Sequence, residues 1–418
     1  MSTKEKAVNQ ITEGVIWKQL LFFFFPIMLG TLFQQLYNTA DAVVVGRFVG
    51  TRALAAVGGS TGQMVNLIVG FFVGLSSGAT VIIARYYGAK NKKDLNDTLH
   101  TAAALSVAGG ILITIAGILF TPSMLKIMKT PADVMADSAT YLRIYFGGII
   151  FVFIYNVGSA ILRAVGDSTR PLYFLIACCF INIFLDVLLV VGFNMGVAGA
   201  AIATVVSQAV SAVLVIWALL KSTDMYCLHP KEIRFHKFLL VSIITIGLPA
   251  GIQSVMYNLA NMIIQTSLND LGTSTMAAYT AFGKIDAIYW MISGAFSVSI
   301  TTFIGQNYGA QKYDRMKKSV KICLFMDFLA SILVSALLLF FGEYLLRLFT
   351  TDPEVLKIGM KIIHIIAPSY VLFIFIEILS STLRGIGNVL VPMLMTCGGV
   401  CILRIIWIFF VVPQIGRA

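Results

Sequence analysis

The sequence consists of long apolar segments separated by short polar ones. A transmembrane helix needs about 20 mostly apolar residues to cross the hydrocarbon of a bilayer. Eleven segments reach this length, and we predict membrane spans at 17–45, 53–82, 99–121, 139–161, 171–192, 196–220, 238–266, 274–302, 319–341, 360–382 and 390–412. The segments between them are too short for a soluble domain. The pattern therefore predicts an all-α polytopic membrane protein that contacts the lipid bilayer.

Composition and charge agree with this prediction. Of the 418 residues, 58% are hydrophobic and 12% charged, whereas soluble domains are about 25% charged. The apolar run at Leu20–Leu29 continues much further than the apolar region of a signal peptide does, and it lacks a small-residue cleavage site. We therefore expect no cleavable signal peptide. The net charge of +11 comes from basic residues scattered over many short loops, so we expect no nucleic-acid binding.

The distribution of basic residues predicts the orientation. Loops on the side of the N-terminus hold 19 Lys and Arg, and those on the opposite side hold 9. Because cytoplasmic loops are enriched in Lys and Arg, we expect a multi-pass protein of the cell membrane with a cytoplasmic N-terminus.

The chain also repeats itself at a nearly constant spacing. Three motifs of the first half recur 220 or 221 positions later: Tyr37-Asn38-x-Ala40 as Tyr257-Asn258-x-Ala260, Tyr87-Gly88-Ala89 as Tyr308-Gly309-Ala310, and Leu162-Arg163-x-x-Gly166 as Leu383-Arg384-x-x-Gly387. Six spans per repeat give both copies the same orientation. This predicts two lobes related by an axis along the membrane normal, with the substrate between them.

The repeat also predicts the domain limits. We assign residues 1–222 to an N-terminal lobe, 223–237 to a cytoplasmic linker and 238–418 to a C-terminal lobe. The counterpart of span 6 would begin near residue 417, so we expect a fragment with eleven of twelve transmembrane helices.

Ionisable and amide side chains within spans are the candidates for chemistry, because such groups are costly in lipid. Asn182 and Asp186 lie four apart and share a helix face. Asp41 and Asp186 each lie six residues from the outer end of their span, about 9 Å deep, and Thr204 lies about 13 Å deep. These four side chains can therefore meet in one site.

Such a site offers alternative chemistries. Two ionised carboxylates repel each other, so the pair favours taking up a proton. The same oxygens, with an amide and a hydroxyl, suit Na⁺ at Asp41 and Asp186. A third interpretation is a buried polar network that only holds spans 1, 5 and 6 together. Pro26 predicts a kink in span 1.

Several motifs together resemble the multidrug and toxic compound extrusion (MATE) family. They are Pro26, Tyr37-Asn38-x-x-Asp41 with Gly46, Tyr87-Gly88-Ala89, Asn182-x-x-x-Asp186, and the Leu-Arg-x-x-Gly pattern followed by Pro171 and Pro392. The resemblance implies a twelve-helix exporter of amphipathic, often cationic compounds, driven by H⁺ or Na⁺ without a cofactor. It implies that Asp41, Asn182, Asp186 and Thr204 match the cation-coupling site of the DinF-like branch, and that Pro26 acts as a hinge.

The C-terminal repeat lacks these acids. Asn261 stands at the position of Asp41, Trp407 at that of Asp186, and Tyr257 where NorM-like members have a glutamate. We interpret Asp327 and Arg404 as structural, and a Lys284–Glu377 contact is one option for the remaining charges. The candidate substrate contacts are Gln34, Tyr37, Asn38, Asp286 and Glu377.

Other function classes fit less well. No P-loop, HExxH motif or nucleophile elbow is present, so we predict that the protein is not an enzyme. The alternatives are a lipid-linked oligosaccharide flippase of the related superfamily and a passive channel. The four histidines lie near loops or helix starts, and we expect no metal site beyond possible Na⁺. We expect a monomer whose partners are small molecules.

Overall fold

The computed structural model describes residues 11–269 and 272–411, and these residues form helices and turns without strands. The helices are α1 Ile16–Phe48, α2 Thr51–Gly58, α3 Ser60–Gly88, α4 Lys92–Ile127, α5 Met135–Ala164, α6 Thr169–Asp186, α7 Gly196–Leu220, α8 Lys237–Asn269, α9 Thr273–Gly309, α10 Tyr313–Arg347, α11 Pro353–Gly385, α12 Leu390–Met395 and α13 Leu403–Ile406. Turns of π-helix lie at Val187–Gly192, Thr396–Ile402 and Trp407–Val411, and a 3₁₀ turn lies at Pro230–Glu232.

The predicted spans are confirmed, since eleven helical stretches of the described chain are long and apolar enough to cross a membrane. Helices α4 and α11 begin seven residues before their predicted spans. Their first turns are polar and capped: Asn91 accepts from the backbone N–H of Asp94 at 3.2 Å, and Asp352 from that of Glu354 at 2.8 Å. The hydropathy pattern predicts only the part of each helix that lies in the hydrocarbon of the bilayer. These two helices begin earlier, in the polar layer at the membrane surface.

Helices α1–α7 form the N-terminal lobe and α8–α13 the C-terminal lobe. One buried cluster lies within each lobe. Two further clusters join the lobes, one through Ile243 of α8 and the other through Leu20 and Phe23 of α1. The lobe limits at residues 222 and 238 stay predictions. Residues 1–10 and 412–418 lie outside the described residues, so the lobe assignment of these residues also stays a prediction. We call the side of the bundle that carries residues 221–236 the linker face.

Helix α1 packs on both lobes. Before Pro26, Phe23 and Phe24 contact Phe303 and Phe296 of α9, with ring centroids 6.3 and 4.2 Å apart. Directly after Pro26, Ile27 and Met28 still pack against the cluster that α1 forms with α9–α11, and at Gly30 the helix faces Leu172 and Leu175 of α6. Proline has no N–H, so a helical hydrogen bond is missing close to the point where α1 moves from one lobe to the other.

The lobes approach each other closely on the linker face. A Cβ at Gly88 of α3 would lie 1.9 Å from the carbonyl oxygen of Gln306, and one at Gly309 of α9 would lie 1.9 Å from that of Arg85. Nε2 of Gln306 also donates to the carbonyl of Ala164 at 2.7 Å. Only glycine allows backbones to come this close, so two equivalent glycines, one from each repeat, seal this face.

The linker is attached to the N-terminal lobe. Tyr226 is 2% exposed, and its hydroxyl accepts from Nη2 of Arg170 at 3.0 Å. The hydroxyl of Tyr87 donates to Asp224 at 3.1 Å.

Candidate functional site

The four residues of the predicted coupling site lie together in the N-terminal lobe. Oγ1 of Thr204 on α7 donates to Oδ2 of Asp41 on α1 at 3.3 Å. Asp186 and Asn182, both on α6, face the same carboxylate. The exposed fractions are 6% for Asp41 and Thr204 and 0% for Asn182 and Asp186. The site is therefore closed to bulk water and built from three helices.

Apart from one another, most polar atoms of this site lack a hydrogen-bond partner. These atoms are Oδ1 of Asp41, both side-chain polar atoms of Asn182 and both carboxylate oxygens of Asp186. A buried, unpaired carboxylate costs several kcal/mol or more. The site therefore requires a proton, a cation or water to be stable.

Local structure explains how these side chains converge. Asn182 and Asp186 are one turn apart on α6, and the helix changes at once into the π-helical turn Val187–Gly192. Such turns often occur at functional sites. Oγ1 of Thr204 also lies 3.0 Å from the carbonyl oxygen of Ala200, so its single O–H is shared between this carbonyl and Asp41.

A cavity of about 120 Å³ lies in the N-terminal lobe next to this site. Gln34 and Tyr37 line it on α1, and Gln208 lines it on α7 and donates to the hydroxyl of Tyr37 at 3.2 Å. Asp41 lies one helical turn beyond Tyr37. Of the predicted substrate contacts, Gln34 and Tyr37 therefore lie in this cavity, whereas Asn38 is exposed on α1.

Sequence reasoning missed three residues of this region. Tyr141 on α5 faces Thr204 and Asp41, while Tyr145 and Arg163 line the cavity. Tyr141 and Tyr145 lie four apart in an apolar span, and this spacing was the available signal. The sequence did not show which face of α5 meets α1 and α7.

The predicted acidic residues of the C-terminal lobe lie elsewhere. Oδ1 of Asp286 on α9 accepts a hydrogen bond from the hydroxyl of Tyr370, and Oδ2 accepts from Nε1 of Trp290 at 2.8 Å. Asp286 therefore lies beside aromatic rings, apart from the Asp41 site.

The Lys284–Glu377 contact is wrong. Nη2 of Arg384 lies 3.6 Å from Oε1 of Glu377, and Lys284 is exposed. Glu377 and Arg384 are seven residues apart on α11, which places them two turns apart on one face.

The structure also brings together three side chains that the sequence does not connect, those of His100, His229 and Glu232. Each has one nitrogen or oxygen atom that lies within 4.8 Å of the corresponding atoms of the other two. Nδ1 of His100 donates to the carbonyl of Asn96 at 2.7 Å, and Nε2 accepts from the backbone N–H of His229 at 2.9 Å. Both ring nitrogens are thus used, and the group anchors the linker to α4.

Known proteins resemble this chain in sequence and in fold. The sequence model of the MatE family matches residues 26–188 and 249–410, one match in each repeat. The probable multidrug resistance protein YoeA of Bacillus subtilis (strain 168) is 30% identical over 400 residues, which cover 94% of this chain and 86% of YoeA. The probable multidrug resistance protein NorM of Thermotoga maritima is 27% identical over 392 residues, covering 91% of this chain and 82% of NorM.

A MOP superfamily transporter from Pyrococcus furiosus has the same fold, with a TM-score of 0.89 at 23% identity over 97% of this chain and 91% of that one. The chain belongs to the MatE family of multidrug efflux transporters. Members of this family are multi-pass membrane transporters rather than enzymes, act on small molecules and are driven by ion gradients. The placement in the DinF-like branch stays a prediction.

Proposed function

We propose that the protein exports amphipathic, cationic compounds across the cell membrane in exchange for inward H⁺ or Na⁺, which binds at the Asp41–Asp186 site. One observation carries this proposal: four oxygens of Asp41, Asn182 and Asp186 are buried together and have no hydrogen-bond partner outside the site. Both cations bind the same hard oxygen ligands, and either one removes the cost of burying two negative charges.

The substrate class is supported by the surroundings of Asp286. Its carboxylate lies between Tyr370 and Trp290, and Trp290 is 45% exposed. A carboxylate beside the exposed ring of Trp290 suits an organic cation with apolar groups, because both the charge and the ring face attract it. The YoeA and NorM relatives are named as probable multidrug resistance proteins. These observations favour efflux over the flippase and the passive channel.

Helix α1 supplies the coupling between cation and substrate. Its second half holds Asp41 and is tied to α7 through Thr204, while its first half packs on α9 of the other lobe. A cation that neutralises Asp41 changes the contact between Asp41 and Thr204, which holds the second half of α1 against α7. In response, α1 can bend at Pro26. Export then requires that cation and substrate favour different arrangements of the lobes.

The proposed orientation places the linker face in the cytoplasm, because the loops on this side carry most of the basic residues. The lobes are sealed on this face by Gly88 and Gly309. We propose that this sealed arrangement is the one that releases substrate outside and loads the cation, and that the protein works as a monomer.

The test uses purified protein in liposomes loaded with a fluorescent cationic dye, with an H⁺ or a Na⁺ gradient imposed separately. Wild type should export the dye with one of the two gradients, which identifies the ion. Asp41→Asn keeps the shape of the side chain and should lower gradient-driven export by about 10-fold or more, equivalent to 1.4 kcal/mol or more of coupling. The matched control is Asp133→Asn, which changes an exposed acid outside the helices. Full-rate export by Asp41→Asn would show that the site does not couple transport.

A further inference from the structure

A groove opens on the linker face between the start of α1 and the first turns of α10, and we call it the α1–α10 groove. Its volume is about 630 Å³, within the range of about 300–1,000 Å³ that is usual for sites of small molecules. The lining side chains that matter here are Trp17, Lys312, Tyr313, Asp314, Arg315 and Lys318. Three of them are basic and one is acidic, so the groove carries positive charge. Neither the coupling site nor the substrate contacts lie in it.

Arg315 builds one wall of the groove. Its guanidinium donates to the carbonyl oxygens of Ile11, Glu13 and Gly14, at 3.1, 2.7 and 2.8 Å. These hydrogen bonds hold the segment before α1 against the start of α10. Arg315 is therefore occupied by the chain itself and shapes the groove.

The two lysines of the groove keep donors for a ligand. Nζ of Lys312 donates to the carbonyl of Thr12 at 2.9 Å, and an ammonium group has three N–H donors. Lys318 is exposed and has no ion pair within the described residues. Asp314, the one acid of the groove, is likewise unpaired there. An anion between the lysines would meet free N–H groups.

The groove continues into an apolar surface. Trp17 and Tyr313, in the first turns of α1 and α10, are 48% and 53% exposed, as is usual for aromatic residues at the surface of a bilayer. Phe325 and Leu329 lie seven and eleven residues after Lys318, which places all three on one face of α10. Both are at least half exposed, at 62% and 50%. A basic, aromatic end is thus followed by an apolar stripe.

The internal repeat shows that packing does not require the two lysines. At the 221-residue spacing, Asn91 matches Lys312 and Asp97 matches Lys318. At the start of α4, Oδ1 of Asp97 lies 3.5 Å from Nε2 of His236 in the linker. The same helix start therefore folds with a neutral and an acidic residue, so the positive charge is a feature of the C-terminal lobe alone.

We propose that the α1–α10 groove binds an anionic phospholipid. The phosphate lies between Lys312 and Lys318, and an acyl chain runs along Phe325 and Leu329. Basic pockets between transmembrane helices favour anionic headgroups, since a zwitterionic lipid brings its own positive charge to the lysines. The binding is non-covalent and independent of the proposed export. Only the assignment to the cytoplasmic leaflet rests on the proposed orientation.

Trp17 supplies a probe at the groove itself. The chain has four tryptophans, and the changes Trp217→Phe, Trp290→Phe and Trp407→Phe leave Trp17 as the single fluorophore. This protein is reconstituted into bilayers in which lipids with brominated acyl chains quench the fluorescence on contact. Competition between brominated and plain lipids gives the binding of phosphatidylglycerol relative to phosphatidylcholine. The anionic lipid should be favoured about 5-fold or more at Trp17, and added salt should lower this preference.

The Lys312→Asn/Lys318→Asp variant installs the residues that the first repeat carries and should bring the two lipids to about equal binding. Lys318→Arg keeps the charge and should keep the preference. The matched control is a protein with Trp217 as its single tryptophan. Trp217 is 53% exposed on the linker face, with Nζ of Lys221 4.6 Å from its ring centre, but it lies outside the groove. It should show little preference.

Native mass spectrometry with all four tryptophans in place is the second measurement. Offered equal amounts of both lipids in detergent, wild type should retain phosphatidylglycerol and the double lysine variant should not. Equal quenching by both lipids at Trp17, or a preference that survives the double variant, would overturn the site. The same preference at Trp217 would replace it by a general attraction of the basic face. Loss of the preference on addition of inorganic phosphate would assign the groove to a soluble anion. Since no reading depends on export, failure of this site is distinct from failure of the Asp41 site.

Discussion

The two lobes share a scaffold but place their acids at different positions. Asp41 and Asp186 lie on α1 and α6, where the second repeat has Asn261 and Trp407. Asp327 and Glu377 lie on α10 and α11, where the first repeat has Ser106 and Asn156. Duplication has therefore kept the helices and their contacts, while the charged groups are specific to each lobe.

One basic residue shows the difference directly. Arg384 pairs with Glu377 in the C-terminal lobe. Its counterpart Arg163 lines the cavity below Tyr37, and the position seven residues before it is Asn156. A common arginine thus neutralises an acid in one lobe and faces a polar cavity in the other, so the role of a repeated residue depends on its partner.

The largest expected effect tests the shared scaffold. Gly88→Val and Gly309→Val should each lower export by about 10-fold or more, because a side chain at either position meets a backbone carbonyl at 1.9 Å and prevents the lobes from sealing. Dye export from liposomes measures this. Gly294→Ala on α9 is the control, since its Cβ meets nothing within 4 Å. If only one of the two valine variants lost activity, the seal would not be equivalent in the two repeats.

A smaller effect is expected at the turns that follow α5 and α11. Oδ1 of Asp167 accepts from the backbone N–H groups of Thr169 and Arg170, both at 3.1 Å. Its counterpart Asn388 accepts only from that of Val391 at 3.4 Å. Asp167→Ala should therefore cost about 1–2 kcal/mol of stability and Asn388→Ala about 0.5 kcal/mol.

The thermal unfolding midpoints of the purified variants measure these losses, and Asp167→Ala should lower the midpoint more than Asn388→Ala. Asp133→Ala, which changes an exposed acid, is the control. Equal losses at Asp167 and Asn388 would contradict the difference between the repeats.

The smallest effect belongs to the linker, which hydrogen bonds attach to the N-terminal lobe. Nδ2 of Asn96 donates to Oε2 of Glu232 at 2.9 Å, and this hydrogen bond holds the pKa of Glu232 below its ordinary value of 4.5. A lowered pKa stabilises the folded state above pH 4.5 and loses this contribution as the pH falls through the lowered value.

The midpoint difference between wild type and Glu232→Gln should accordingly be small and positive at neutral pH and shrink below pH 4.5. A difference that grows on acidification would contradict the assigned hydrogen bond.

The sequence predicted the spans, the repeat and the meeting of Asp41 with Asn182, Asp186 and Thr204. Helical rise is constant, so depth from a helix end can be counted along the chain. It did not predict which face of one helix meets the next. For this reason the sequence suggests Lys284 rather than Arg384 as the partner of Glu377, and it does not single out Tyr141. These errors share one cause, because rotation about a helix axis is set by tertiary packing.

The central claim is that cation and substrate compete through the Asp41–Asp186 site. The most direct measurement is the Kd of a fluorescent cationic substrate for purified protein, determined across a range of pH and, separately, of Na⁺ concentration. The proposed coupling predicts that Kd rises with the coupling ion in wild type and is insensitive to it in the Asp41→Asn/Asp186→Asn variant with Asp327 intact. An equal dependence in both proteins, or none in wild type, would contradict it.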